Sequence, residues 1–356
     1  MIRLPVDTVR AQSAAILAAW GMPADQVAIT AERMTEADVS GIDSHGIAML
    51  GLYEDHLKIG KIVIAPKIQV VRDGPATALI DGGGGLGHVP ATQAMDLAIA
   101  KAKTIGVGAV GVCGSHHFGA AGVYALMAAR QGLLGIATSG VHDAAVVPTF
   151  AAEAMFGTNP FAFAAPATRH PPFLFDMATS TVAIGKLKLA ELHGKPIAPG
   201  WAMDDQGSPT TDPTVGLKSR RLTPIGGTRE MSSHKGYGMG AMVEILSTML
   251  TGAFYPKTRA RRHPEAVTPN VGHFLLALDP DHFRSPGAFE DDLDDLIEAL
   301  HGARRADPDQ PVLVHGDPEW QARAEREANG IPLPDGLVAA VQAIAARAGA
   351  PYLLSA

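Results

Sequence analysis

Apolar positions at the start of the chain fall into helical spacing. Val9, Ile16, Leu17 and Trp20 share one face and Gly21 ends the run, then Pro23 opens a second run with Val27, Ala31 and Met34. This predicted hairpin leads directly into Asp43-Ser44-His45-Gly46. From Lys67 the pattern becomes extended, in Ile68 to Val71 and Ala78 to Ile80, which places a domain boundary near residue 72. A helix is expected from about Pro90 to Lys103, with Met95, Ile99 and Ala102 inward and Gly106 as its stop, followed by a buried strand from Val107 to Cys113. The alternation continues through a helix from Ala120 to Gln131 and strands from Leu133 to Thr138, Phe161 to Ala165 and Phe173 to Met177. Mixed α/β architecture follows.

A turn-rich stretch from about Gly194 to Met231 precedes a helix near Ser233, whose expected apolar stripe is Met242, Val243, Leu246 and Leu250. Arg259, Arg261 and Arg262 read as a solvated loop, and Gly272 to Leu278 as a late strand. Leu293, Leu296, Ile297 and Leu300 then repeat at helical spacing, with further helical runs from Trp320 and Leu337. The helical start and tail are expected to pack together beside the α/β centre.

Composition sharpens this picture by exclusion. Of 356 residues, 47% are hydrophobic and 18% charged, so the chain is not disordered; 39 glycines and 26 prolines mean many tight turns. Lys plus Arg total 29 against 36 for Asp plus Glu, a net charge of -7, the wrong sign for a nucleic-acid partner. The longest apolar stretch, Ile105 to Ala129, is broken by Ser115, His116 and His117, so no membrane span is expected. Asp7 and Arg10 interrupt any signal-peptide core, and the lone Cys113 has no partner for an intramolecular disulfide. A cytoplasmic location is expected.

Candidate chemistry lies in the turns. Gly82 to Gly87 satisfies the G-x-G-x-x-G pattern of dinucleotide-binding loops, but the strand that follows lacks the acidic residue that would hold the ribose, so the run reads as a flexible turn. His45 is the leading acid/base candidate because an imidazole exchanges protons near neutral pH; a capped structural histidine is the alternative. Ser115-His116-His117 follows a buried strand and opens a helix, where α/β sheets expose ligand-binding atoms. Metal ligation is the rival there, but no H-E-x-x-H or C-x-x-C pattern exists, and no metal is assigned. Asp176, at the end of an apolar strand and before Thr179 and Ser180, either orients an imidazole or caps a helix. Ser232 to Gly238, including His234 and Lys235, either cradles an anion or caps a helix. A serine-hydrolase reading of Ser44 or Ser115 is weakened by the absence of G-x-S-x-G.

In order along the chain, Gly41 to Gly46, Ser115 to Gly119, Gly157 to Pro160, Asp176 to Ser180, Asp204 to Asp212 and His234 to Gly238 resemble the successive signatures of the type 2 malate/L-lactate dehydrogenase family, over about residues 5 to 320. The resemblance implies a non-Rossmann mixed-sheet cofactor core, over residues 73–280, and a helical domain from residues 1–72 and 281–356. It also implies a homodimer that uses NAD or NADP to interconvert 2-hydroxy and 2-oxo acids. Cyclic imino acid reduction is the alternative within the same fold, and nucleotide binding without catalysis the alternative outside it. By the same resemblance His45 is the proton donor, Asp176 its partner and His117 a further catalytic contact, with Ser44, Met49 and Tyr53 on the substrate. The cofactor contacts it implies are Asp176, Met177, Ala178, Thr179, Ser180, Thr181 and Val182, then His234 and Lys235, and Gly316, Asp317 and Pro318. Met49 departs from the family pattern, which has an arginine there; methionine cannot pair with a carboxylate, so an unusual acid or another cation is expected.

Overall fold

The computed structural model describes residues 1–355. Strand β1 (Ile2–Leu4) is followed by α1 (Val6–Ala19) and α2 (Ala24–Val39), and, after a short 3-10 turn at Ile47–Met49, by α3 (Leu50–Lys58). Pro5 and Pro23 stand just ahead of α1 and α2, where the first N–H groups of a helix have no internal partner and a missing one costs nothing. The central part comprises β2 (Gln69–Asp73), β3 (Thr77–Gly85), α4 (His88–Ile105), β4 (Val107–Ser115), α5 (Gly122–Ala129), β5 (Leu134–Ser139), β6 (Phe161–Ala165) and β7 (Phe173–Met177). There follow α6 (Ile184–Leu192), β8 (Ala202–Met203), β9 (Pro209–Thr210), α7 (Pro213–Ser219) and β10 (Arg221–Leu222). Then come α8 (Ser233–Glu244), which runs into a π-helical turn at Ile245–Met249, α9 (Pro256–Arg262) and β11 (Val271–Leu278). The chain closes with α10 (Ala288–His301), α11 (Asp317–Asn329), β12 (Ile331–Leu333) and α12 (Asp335–Ala348).

Seven strands form the main sheet in the order β2-β3-β4-β11-β5-β6-β7. Only β3 and β4 pair in parallel; the late strand β11 inserts between β4 and β5, antiparallel to both. A Rossmann sheet is built from parallel strands, so the expected non-Rossmann mixed sheet is what forms. Because β11 reverses direction, and β6 reverses again, strands β4, β5 and β7 all point the same way. Their carboxyl ends, Ser115, Ser139 and Met177, therefore meet along one edge of the sheet, the usual location of ligand sites in α/β folds.

Helix α4 lies on the sheet through Ala91, Ala94, Met95, Ala98 and Ala102, all fully buried. Its close approach depends on Gly108 in β4, where a Cβ would overlap the Ala98 carbonyl. Gly106 ends α4 in the left-handed conformation, φ +89°, as its position predicted. A second apolar cluster joins the two ends of the chain. β1 pairs with β12, and Val9, Ile16, Leu17, Met34 and Tyr53 pack with Ile331, Val341 and Ile344.

Several expectations need correction. The Gly82 to Gly87 run is not a flexible turn: Gly82 to Gly85 continue β3, with an irregularity in its pairing to β4 between Asp81 and Gly85, and Pro66 packs so closely on Gly85 that a side chain there would clash. The stretch from Gly194 to Met231 carries a three-stranded sheet ordered β10-β8-β9, and its Ile197, Ala202 and Leu222 form a small core with Val146 and with Leu187 of α6. The arginine cluster lies on helix α9, where Arg259 donates to the carbonyls of Ala266 and Val267. Of the expected stripe on α8 and its extension, only Val243 is fully buried, while Met242 and Leu250 are exposed, along with Ile245 and Met249. No helix among the described residues is long and apolar enough to cross a membrane.

Candidate active site

The carboxyl ends of β4, β5 and β7, together with the loop after α2 and the start of α11, enclose a cavity of about 460 Å3. Its polar lining includes His45, His117, Ser139, His142, Asp176 and Glu319. A larger open hollow, about 880 Å3, lies elsewhere on the sheet between Leu79, Phe274 and Leu250, and has no histidine among its lining residues.

The loop carrying His45 is held from two sides. Beneath it, the buried carboxyl of Asp38 accepts the Ile47 N–H at 2.8 Å and lies so close to Gly46 that any Cβ there would overlap it. Burial raises the Asp38 carboxyl to about 7, against the opposing hydrogen bond from Ile47. Above it, Arg326 of α11 donates to the Asp38 carbonyl and to the Asp43 carboxylate. Ser44 Oγ lies 2.8 Å from His45 Nδ1, which leaves Nε2 for the cavity. Burial lowers the His45 imidazole below its ordinary range.

The His45 and His117 rings stack with centroids 5.5 Å apart and planes 28° from parallel. His117 Nδ1 is met by Tyr53 Oη at 2.8 Å and by the Gly119 N–H at 3.2 Å. Since a backbone N–H can only donate, Nδ1 is the acceptor and the ring's proton sits on Nε2. Burial, then the neighbouring His45 and His88, push His117 well below the usual imidazole range. Two stacked rings in this setting do not both hold a charge, so the pair carries at most one transferable proton near neutral pH.

Asp176, at the end of β7, accepts the Gly122 N–H at the start of α5 at 2.7 Å. It does not cap a helix through its own first turn, and it shares the cavity with His45 without a hydrogen bond to it. Burial raises its carboxyl to about 6, partly offset by Gly122 and reinforced by the nearby Glu319.

The remaining expected residues divide. Met177 and Ala178 line the cavity with Asp176. Thr179 and Ser180 are buried: Thr179 Oγ1 donates to the carbonyls of Thr158 and Asn159, and Ser180 Oγ to that of Val182. Thr181 Oγ1 donates to the Pro224 carbonyl at 2.6 Å, and Val182 packs on the small third core. Tyr53 is buried behind His117, and Ser44 is exposed behind His45. Met49 does not reach the cavity lining; it packs against the apolar cluster of the chain ends. His234 and Lys235 are exposed at the start of α8, with His234 near Arg229 and away from the cavity lining. Gly316 packs against Leu174 and Trp320, and Asp317 bonds the Val314 N–H and His301, so their neighbour Glu319 is the one that reaches the cavity. Glu319, His142 and Ser139 were missed in the sequence; none falls in a catalytic motif, and only the crossing order of β5, β11 and β7 brings them together.

The lining suits a nicotinamide ring. Met177, Ala178, Ala183 and Ile184 give an apolar wall, and Ser139 and Thr158 supply hydroxyls, all beside a paired imidazole.

Comparison with known proteins agrees with this geometry. The family model for malate/L-lactate dehydrogenase matches residues 4–342. The chain is 38% identical to malate dehydrogenase of Pyrococcus horikoshii over 349 residues, 98% of this chain and 96% of that protein. It is 38% identical to L-sulfolactate dehydrogenase of Methanothermobacter thermautotrophicus over 331 residues, covering 93% and 92%. Among solved structures, malate dehydrogenase of Entamoeba histolytica superposes with a TM-score of 0.92 at 30% identity, covering 98% of this chain and 99% of that one. Delta1-piperideine-2-carboxylate reductase of Pseudomonas syringae superposes with a TM-score of 0.84 at 30% identity, covering 97% and 100%. The fold and the match over nearly the whole chain define a non-Rossmann oxidoreductase. The chain belongs to the malate/L-lactate dehydrogenase family and is an NAD- or NADP-dependent dehydrogenase of hydroxy acids.

Proposed function

We propose that the cavity reduces a small 2-oxo acid, and oxidises the matching 2-hydroxy acid, with His45 as the proton donor and acceptor. The observation that carries this is the stacked His45 and His117 pair, open with Asp176 to one cavity at the carboxyl ends of β4, β5 and β7. A bound nicotinamide supplies or receives the hydride. His45, charged as the imidazolium for this step, gives its Nε2 proton to the carbonyl oxygen as negative charge builds there and is left as the neutral ring, a contribution of roughly 10²–10⁴-fold. His117, fixed in one tautomer by Tyr53 and Gly119, points Nε2–H toward the same oxygen and orients it. Asp176, half-neutral near pH 6, tempers the negative charge facing an anionic substrate.

Asp176, Met177 and Ala178, on the cavity lining, hold the nicotinamide end of the dinucleotide in this reading; its further contacts, Thr179 to Val182, His234, Lys235 and Gly316 to Pro318, lie outside that lining. Residues 1–72 and 281–356 act as a helical unit beside the core of residues 73–280, supported by the shared apolar cluster of the two chain ends, although β2 (Gln69–Asp73), at that boundary, pairs with the core sheet. The working form is a homodimer. Exposed Met242, Ile245, Met249 and Leu250 on α8 and its extension, with Val70 and Val71 exposed on β2, support this, since uncovered large apolar side chains favour association. The lone cysteine is in keeping with a reducing, cytoplasmic location.

The test is nicotinamide absorbance with NADH or NADPH against a panel of 2-oxo acids. Turnover of one panel member is expected, and none at all contradicts the proposal. A cyclic imino acid belongs in the panel, because the cavity has no lysine or arginine among its lining residues and the chain is similar to a reductase of such a compound. Cofactor binding without turnover of either class favours a nucleotide-binding protein.

A further inference from the structure

An anionic acid entering this cavity needs a cationic partner, and the lining offers none of the permanent ones. Its only basic side chains are His45, His117 and His142, and Met49 lies in another apolar cluster. His45 is bonded through Nδ1 to Ser44, and His117 is locked as a neutral tautomer by two donors to Nδ1. His142, in the loop after β5, differs from both. Its Nε2 faces the Asp143 carboxylate at 3.3 Å, while Nδ1 makes no hydrogen bond to any described residue. The adjacent His142 ring is the chief influence holding the Asp143 carboxyl down at about 2, so a charged carboxylate lies beside the imidazole.

Two further imidazoles brace that ring. His116, fully buried, stacks on His142 with centroids 5.7 Å apart, and His56 of α3 meets both at 5.0 and 5.4 Å, edge to face. His56 Nδ1 lies 2.9 Å from His116 Nε2. Both are pushed toward the neutral form, chiefly by burial. Lys61 and Arg220 are the other cations acting on Asp143; neither lines the cavity. The cluster therefore presents to the cavity one imidazole paired with a carboxylate and backed by two rings held toward the neutral form.

We propose that His142, oriented by Asp143 and braced by His56 and His116, is the specificity-determining residue that binds the acid group of the substrate, in the place Met49 leaves without a cation. This rests on the reading that the cavity takes a 2-oxo acid, and it goes further by naming the anchor. The reacting carbonyl then lies toward His45 and His117, and the acid group toward His142.

The experiment compares wild type with His142→Asn and Asp143→Asn. Calorimetry measures the binding of oxamate, an unreactive mimic of a 2-oxo acid, to the enzyme saturated with NADH or NADPH, and KM for the best acid is measured in parallel. Losing a charge-assisted hydrogen bond predicts that His142→Asn weakens oxamate and raises KM by about tenfold or more. A smaller change in the same direction is expected for Asp143→Asn, with cofactor affinity unchanged in both. His142→Gln, closer in size, should behave as His142→Asn if charge rather than packing matters. Oxamate binding and KM within twofold of wild type in His142→Asn overturn the proposal. Wild-type binding of oxamate that depends on His142 without turnover retains the anchor and removes the reaction, whereas a wild type that neither binds oxamate nor turns over removes both.

Discussion

Tyr53 Oη reaches His117 Nδ1 at 2.8 Å, joining α3 to the loop after β4 across 64 residues of sequence. Tyr53 is 1% exposed, and burial raises its hydroxyl well above the ordinary range, so the group remains a protonated donor at all working pH values. Tyr53→Phe removes that donor and leaves the Gly119 N–H as the sole fixed partner of Nδ1. The expected result is a kcat loss of several-fold, with stability lowered by about 0.5–1.5 kcal/mol. Steady-state kinetics and a denaturant melt check it; unchanged kcat removes Tyr53 from the positioning of His117.

Asp38 governs the loop that carries His45. Asp38→Ala deprives the Ile47 N–H of its acceptor and opens space beneath Gly46, so kcat should fall by more than in Asp38→Asn, where a side-chain oxygen still accepts. The raised pKa also fixes a sign. Between about 3.8 and 7 the folded chain holds a proton on Asp38 that the unfolded chain has lost, so this group's contribution to stability falls as pH rises through that window. Asp38→Asn should remove that part of the slope, as thermal melts across the window would show.

Histidines set the opposite and larger slope. His88 and His273 are buried with pKa values lowered to about 3, and His116 and His117 are lowered well below the ordinary value. Below about 6.5 the unfolded chain takes up protons that the folded chain refuses, so stability is lost as pH falls from there and is flat above it for these groups. Four histidines outweigh the raised carboxyls of Asp38 and Asp176, and Tm should drop steadily below pH 6.5. A Tm constant from pH 7 to 5 contradicts the buried neutral state of these rings.

The apolar belt at the end of α8 predicts association. Ile245 is 59% exposed and Leu250 64%, a surface that costs little only when covered. Met249→Asp with Leu250→Asp should convert a dimer to monomers in analytical ultracentrifugation. A wild type that is monomeric at micromolar concentration, or a variant as dimeric as wild type, contradicts this interface.

The sequence showed much of this design where the signal is local. Gly106 after an apolar helical stripe marks the end of α4 because only a left-handed residue fits there, and Leu134–Ser139 and Phe173–Met177 stand out as short apolar runs. Non-local pairing was illegible. Four consecutive glycines belong to β3 because β4, Val63 and Pro66 close around them, which no strand propensity records. Spacing placed Met242 and Leu250 on one face of a helix but could not say whether that face meets this chain. His45 and His117 were found through their turns, whereas His142, in the loop after β5, and Glu319, in the first turn of α11, belong to no motif and meet at the cavity only in the folded chain.

The central claim is that one imidazole, His45, moves the proton. Its most direct test is the turnover of His45→Ala with the best substrate of the panel, measured beside its affinity for NADH or NADPH. The expected result is a fall in kcat of more than about tenfold with cofactor affinity unchanged; wild-type kcat in His45→Ala would contradict the account.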